Sequence, residues 1–385
     1  LKEIGDPINE TIEQLDPERQ ERAREYAGIR RRLFVVDLAM GAVYVIIWIV
    51  AGISPWLRNQ IYGLTQVVWF SVPLFAVGFA LPYFIISVPL EYYSGFVLPH
   101  RYQQSTQSFR GWLVDQFKGL LLTGVLGLII LEIVYTLLQA APQTWWLWMA
   151  LVMLLFTVLL SNLAPILIFP LFYKFKPLED EDLVKRLIHL AERAGARVKG
   201  VYTFDMSSKT VAANAALMGL GNTRRIVLGD TLLEKFTARE IETVLAHELG
   251  HHVHHDVPLG IAVQTVIMLG GFWLADLVMR WGIAGLGYTG LTDPATLPLF
   301  LVALAVFGLV TMPLANGWSR WREVLADRYA LEMTGQPQAF ISAMTRLANQ
   351  NLAETEPPAW VEFLLHSHPS ISKRVALAQT YSQQL

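Results

Sequence analysis

Six long apolar stretches constrain this chain more than any other feature of its sequence: 33–54, 65–90, 113–140, 145–171, 258–284 and 295–316. About 20 apolar residues suffice for a helix to cross the hydrocarbon core of a bilayer. Inside that core the backbone must satisfy its own hydrogen bonds, so each stretch is expected to be helical. Composition agrees. Hydrophobic residues make up 54% of the chain and charged residues 16%, where a soluble domain carries about 25% charged residues. The 12 Trp residues suit a membrane–water boundary. The second stretch contains Pro73, Pro82 and Pro89 and is expected to kink.

The connecting segments set an orientation. Arg30, Arg31 and Arg32 precede the first stretch, Arg101 and Arg110 lie in 91–112, and both 172–257 and the residues after 317 are rich in Lys and Arg. The intervening loops at 55–64, 141–144 and 285–294 hold only Arg58. By the positive-inside rule both termini, with 172–257 and 317–385, are expected on the cytoplasmic side. The organisation reads as an N-terminal cytoplasmic segment, 1–32, amphipathic or loose. A transmembrane domain of about four helices, 33–171, follows, then a second domain, 172–385, interrupted by a transmembrane hairpin at about 258–316. The polar opening is no secretory signal, and a first residue other than Met suggests the start of the chain lies inside a longer product. A net charge of -2 gives no case for nucleic acid. With no cysteine, neither disulfides nor thiolate ligands are available.

Residues 172–257 read as a soluble insert. Helical periodicity covers 178–193, short strands are expected at 200–205 and 225–228, and 207–223 reads as loop and edge. Residues 237–255 form a helix whose Thr237 and Glu240 have the spacing of a capping box. Further helices are expected at 319–334 and 338–347.

The 237–255 helix carries His247-Glu248-Leu249-Gly250-His251. Residues i and i+4 share a helix face, so the two imidazoles can bind one Zn2+. Glu248 beside them can accept a proton from the attacking water. The blander reading is a surface helix with scattered histidines. Against it, five of the nine histidines fall within 247–255, directly before an apolar stretch. His252, His254 and His255 read as solvated or neighbouring groups. A catalytic zinc takes three protein ligands and keeps a position open. Glu323 is the best third candidate, because the hairpin returns the chain to the same side just before it. Asp327, one turn later, can orient a histidine through its far nitrogen, or can pair with Arg328 or Arg322 at the surface. Asp37, Glu132 and Asp276 lie in or near apolar stretches. Each must line a water-filled chamber, pair between helices or sit near an interface.

Taken in order and spacing, a set of strings resembles the type I CaaX prenyl proteases, which are membrane zinc metallopeptidases, and more distantly the HtpX-like proteases. The strings are Leu90-Glu91-Tyr92-Tyr93-Ser94-Gly95-Phe96, Phe175-Lys176-Pro177-Leu178-Glu179-Asp180, Asn214-Ala215-Ala216, Arg225 to Leu233, His247 to His252, Glu323 to Asp327, and His368-Pro369 with Arg374. The resemblance implies a mainly α membrane protein with about six transmembrane helices and a zincin-like α+β metallopeptidase domain, with a chamber walled by the transmembrane helices. It implies that Asn214, Ala215 and Ala216 form an edge to which substrate adds as a strand. It also implies that His368 and Arg374 approach the substrate backbone and the tetrahedral intermediate. From the residues alone, the last two can equally be a turn and an Arg on the helix after it. The chain departs from the eukaryotic pattern in two ways. Thr210-Val211-Ala212-Ala213 replaces a Ser-Ser-His-Ser-type string, and six spans stand where seven are usual.

The expected activity is therefore zinc-dependent hydrolysis of peptide bonds by an enzyme embedded in the lipid bilayer. Its expected partner is a polypeptide, prenylated or not, cut near its C-terminus, with one Zn2+ per chain and Glu248, His368 and Arg374 as catalytic groups. One alternative is a broad quality-control protease for misfolded membrane polypeptides. Another is a metal-binding transporter or scaffold, against which stand the lack of cysteine for a closed four-ligand site, the extra Glu248 placed as a base and the absence of repeated halves.

Overall fold

A computed structural model describes residues 13–219 and 224–384. Six of its helices are long and apolar enough to cross a membrane. They are α1 (Pro17–Val50), α3 (Val68–Tyr92), α5 (Phe109–Ala140), α6 (Trp145–Leu163), α11 (Asp256–Leu286) and α12 (Leu297–Thr334). Shorter helices α2 (Ile53–Tyr62), α4 (Leu98–Arg101) and α7 (Phe169–Phe172) accompany them. The chain divides into two compact units. The membrane unit takes Gly28–Tyr173 and His255–Gly317, and the other takes the described residues up to Ala27, Lys174–His254 and the residues from Trp318 onward.

In the membrane unit, Trp48, Phe75, Phe79, Tyr135, Trp145, Met149 and Phe272 form a buried core. The opposite faces carry exposed Phe70, Phe117, Val266 and Leu314. Apolar exposure on this scale is the mark of a lipid-facing surface. The three carboxylates in the apolar stretches differ in partners. Asp276 accepts from Trp145 Nε1 at 2.7 Å and from Arg280 Nε at 2.8 Å, and is paired between helices. Asp37 accepts from Tyr83 Oη at 3.3 Å. Both Glu132 carboxyl oxygens are buried with no partner among the described residues. Helix α3 runs through Pro73, Pro82 and Pro89, and its irregularity falls after them, in a π-helical turn at Tyr93–Val97. A second π-helical turn, at Ala164–Ile168, contains Pro165. A ring without an N–H displaces the regular ladder, and a widened turn absorbs the displacement. Sequence reading took 55–64 as a loop, and the structure makes it the amphipathic helix α2.

The second unit is built on a four-stranded sheet of order β1-β2-β4-β3. The strands are β1 (Phe175–Pro177), β2 (Val201–Phe204), β3 (Ala215–Met218) and β4 (Arg225–Gly229). The β2–β4 pair is parallel and the outer pairs are antiparallel, which leaves β3 at an edge. The helices are α8 (Glu181–Arg193), α9 (Asp230–Lys235), α10 (Ala238–Val253), α13 (Pro337–Gln350), α14 (Ala359–Leu365) and α15 (Ile371–Ser382), with the C-terminal part of α12. Leu187, Ile226, Leu228, Leu245, Leu249, Phe340 and Met344 fill the core between sheet and helices. The expected strands at 200–205 and 225–228 and the helix at 338–347 are present. The helix expected over 319–334 is the end of the longer α12.

Of the two expectations for the N-terminal segment, amphipathic or loose, the second does not hold for its described part. Residues 1–12 lie outside the described residues, but 13–27 belong to the sheet-bearing unit rather than hanging loose. Glu13 N donates to Ser342 Oγ at 3.0 Å, Asp16 N to Asn349 Oδ1 at 3.1 Å, and Gln20 Nε2 to Ala353 O at 3.1 Å.

Candidate metal centre

Helix α10 starts where its cap dictates. Glu240 N donates to Thr237 Oγ1 at 3.3 Å and Thr237 N donates to Glu240 Oε2 at 2.8 Å, so two otherwise orphan donors are satisfied reciprocally. The cap is fastened in turn to α13, because Glu240 Oε1 accepts from Ser342 Oγ at 2.7 Å and from Arg346 Nε at 3.2 Å. Along α10, His247 and His251 fall on one face. At Gly250 the helix meets α12 at close range: a Cβ there would lie 2.9 Å from Ala326 Cα. The missing side chain is what lets α12 bring Glu323 beside the histidines.

The three side chains converge. His247 Nε2 lies 3.2 Å from His251 Nε2 and 3.3 Å from Glu323 Oε2, and His251 Nε2 lies 3.4 Å from Glu323 Oε1. Ligands about 2.05 Å from a tetrahedral ion stand about 3.3 Å apart. The two imidazole nitrogens have that spacing and each lies near one of the two Glu323 oxygens, so the three side chains can hold one ion, and the donor set of two imidazoles and a carboxylate suits a divalent cation of zinc's kind.

Behind the histidines, His247 Nδ1 lies 2.8 Å from Asp327 Oδ1 and 3.3 Å from Arg374 Nη2. The carboxylate is nearer and can only accept, so Nδ1 carries a proton and Nε2 is left to face the centre. Asp327 is fully buried. It also accepts from Arg374 Nε at 2.8 Å and Arg374 Nη2 at 2.6 Å, a bidentate pair. Burial works against charge on His247, but hydrogen bonds to Asp327 and Glu323 outweigh it and raise its pKa to about 9 before any ion binds. Burial likewise opposes charge on Arg374, and Asp327, Glu323 and Glu248 overcome it and hold its pKa above the usual arginine value.

The remaining residues of interest are spread around this centre. Glu248 is half-buried. His368 Nδ1 lies 2.8 Å from Glu323 Oε2 with a 61% exposed side chain, on the solvent side of the carboxylate. Arg374 has its Nε and Nη2 committed to Asp327 and only 12% of its side chain exposed. Asn214 is exposed, and Ala215 and Ala216 begin the edge strand β3. Of the two readings of Asp327, the structure shows the contact with a histidine, His247, and no pairing with Arg322 or Arg328; its other partner is Arg374, while Arg322 Nη2 donates to His254 O at 2.7 Å. The Gly250–Ala326 approach escaped sequence reading, although a glycine in mid-helix signals close contact.

Residues 177–382 match the description "Peptidase family M48" and residues 4–174 match "CAAX prenyl protease N-terminal, five membrane helices". The chain belongs to peptidase family M48. It is a membrane metalloendopeptidase of the CaaX prenyl protease type. It is 29% identical over 361 residues to an uncharacterized metalloprotease, YhfN, of Bacillus subtilis, covering 93% of this chain and 84% of that one. It is 30% identical over 320 residues to CAAX prenyl protease 1 of Saccharomyces cerevisiae, covering 78% and 70%. The crystal structure of S. mikatae Ste24p shares its fold, with a TM-score of 0.84 at 23% identity over 97% of this chain and 91% of that one. Where the family description counts five membrane helices, the described residues of 4–174 hold four of crossing length, with α2 as an additional short helix.

Proposed function

We propose that this M48 peptidase binds one zinc ion at His247, His251 and Glu323 and cuts a polypeptide near its C-terminus, as the names of its relatives suggest, the natural substrate carrying a prenyl group. The observation that carries the reading is the convergence of the three side chains, the imidazole nitrogens 3.2 Å apart and each 3.3 to 3.4 Å from one of the Glu323 oxygens. A bound zinc supplies Lewis acidity to the peptide carbonyl and to water. Everything else is done by side chains. Glu248 accepts the proton of the attacking water and returns it to the leaving nitrogen. Asp327 holds the His247 ring by its Nδ1–H, and Arg374 fixes Asp327. His368, exposed beside Glu323, donates to the substrate carbonyl as negative charge develops there; its exposure at the centre supports that role. The peptide adds as a strand to the β3 edge at Asn214, Ala215 and Ala216. The distribution of Lys and Arg supports a cytoplasmic location for this unit and both termini.

The test is hydrolysis of two quenched peptides by detergent-purified protein, one farnesylated with a CaaX end and one unmodified, with and without a chelator. Chelator-sensitive cleavage of the farnesylated peptide alone is expected. Equal cleavage of both would refute prenyl recognition, and cleavage unaffected by exhaustive metal removal would refute the centre.

A further inference from the structure

The backbone of β3 alternates in direction, and the alternation can be read from its pairing. Gly229 N donates to Asn214 O at 2.9 Å. The register then sets Ala215 opposite Leu228, Ala216 opposite Val227 and Leu217 opposite Ile226. In an antiparallel pair, every second residue turns its N–H and C=O toward the partner. Asn214 and Ala216 therefore face β4, and Ala213, Ala215 and Leu217 turn their backbone groups outward. No strand lies on that side among the described residues.

At Ala213 the outward groups are already taken. Ala213 N donates to Asn351 Oδ1 at 2.8 Å, and Asn351 Nδ2 donates to Ala213 O at 3.2 Å. One side-chain amide thus imitates a strand residue and closes the edge at that point. Its placement is heavily determined. Gln350 Nε2 donates to Val211 O at 2.7 Å, Thr231 Oγ1 donates to Ala212 O at 2.6 Å, and Asn349 is held by the N-terminal segment. The next residue, Leu352, is buried yet has φ of +49°, a left-handed conformation that side chains other than glycine adopt at a cost.

We propose that Asn351 is a specificity-determining stop on the β3 edge. This rests on the reading of that edge as the peptide site. A peptide pairing antiparallel with Ala215 and Leu217 runs with its C-terminal end toward Ala213, where Asn351 occupies the next hydrogen-bonding position. The chain cannot continue along the edge there, so residues added on the C-terminal side lose strand pairing and meet the end of α13. A protease with such a stop favours substrates whose C-terminus lies close to the cut.

The experiment uses the full-length enzyme in detergent and farnesylated quenched peptides that are identical up to the C-terminus and extended there by zero, two or four residues. The wild type is expected to lose kcat/KM by about tenfold or more on extension, and Asn351→Ala to lose most of that discrimination while its kcat on the shortest peptide stays within about twofold. Asn351→Asp keeps the acceptor for Ala213 N–H but sets a carboxylate oxygen against Ala213 O, so it is expected to lose part of the discrimination. If Asn351→Ala fails to retain metal, Asn351→Ser serves in its place. Length discrimination unchanged in the variant, or absent in the wild type, overturns the stop. A scan of singly N-methylated peptides separates the two readings. Losses at alternate positions support edge binding whatever becomes of Asn351. A peptide insensitive at every position sinks edge binding, and the stop with it.

Discussion

Gly250→Ala is a small change aimed at the contact that assembles the site. The added Cβ would lie 2.9 Å from Ala326 Cα, 3.1 Å from Ala326 O and 3.2 Å from Ala326 Cβ. Ordinary carbon–carbon contact needs about 3.5–4.0 Å, so α10 and α12 must part by roughly 0.6–1.1 Å at this point. Two of the three obstacles are backbone atoms and cannot rotate aside. Overpacking of this kind costs about 1–3 kcal/mol, and the better helix propensity of alanine returns about 1 kcal/mol. The net loss, about 0–2 kcal/mol, leaves a protein of ordinary stability folded. The centre tolerates less, because ligand distances hold to within about 0.2 Å and His247 and His251 stand on one of the parting helices with Glu323 on the other. The expected result is a folded protein whose zinc affinity, measured by chelator competition, falls by tenfold or more, with hydrolysis falling alongside. Native affinity and native turnover in Gly250→Ala would refute the argument that this approach sets the ligand spacing.

Other predictions concern single groups. Glu248→Gln should retain zinc by elemental analysis and lose about 10²–10⁴-fold in kcat; turnover near the native rate would remove Glu248 as the base. Asp327→Asn should weaken zinc binding about 10–100-fold, which competition with a fluorescent chelator would detect, and an unchanged affinity would return Asp327 to a purely packing role. Glu323→Gln should bind zinc far more weakly than Glu248→Gln does, and equal affinities would contradict its place in the triad. For pH dependence, the imidazole of His247 faces Asp327, Glu323, Arg374 and His251. Its folded pKa of about 9 lies above the ordinary 6.5, so the apo-protein gains stability from its proton below about pH 6.5 and loses that gain as pH rises through about 9. Zinc must displace the same proton, so its apparent affinity should climb about tenfold per unit between pH 7 and 9 from this group. An affinity flat across that window would show that His247 is already neutral.

The spans were legible because a bilayer leaves the backbone few options, and length with apolarity is enough to mark them. Helix α10 was legible for local reasons, since Thr237 and Glu240 cap it and the two histidines repeat at one turn. Glu323 was reachable through topology, because a hairpin that returns the chain leaves few acidic residues to choose from. Of the two partners of Asp327, the ligand histidine was legible and the arginine was not. Sequence offered nearby Arg322 and Arg328, while the side chain that pairs with it is Arg374, 47 residues away. The same holds for the N-terminal segment, which is polar and looks loose, yet bonds to Ser342 and Asn349 more than 300 residues on. Sequence patterns report the face a residue presents, and they are silent about which distant polar group will meet it.

The two halves of the proposed triad sit on either side of a membrane hairpin in sequence. His251 and Glu323 are 323 − 251 = 72 residues apart, with α11 and the apolar part of α12 between them. At roughly 5–20 residues per second, several seconds of synthesis separate the second histidine from the glutamate. Through that interval the growing chain carries a two-histidine half-site that cannot yet grip a metal, and the hairpin must emerge before it can. Completion of the proposed triad is thus tied, in the order of synthesis, to the making of the membrane hairpin.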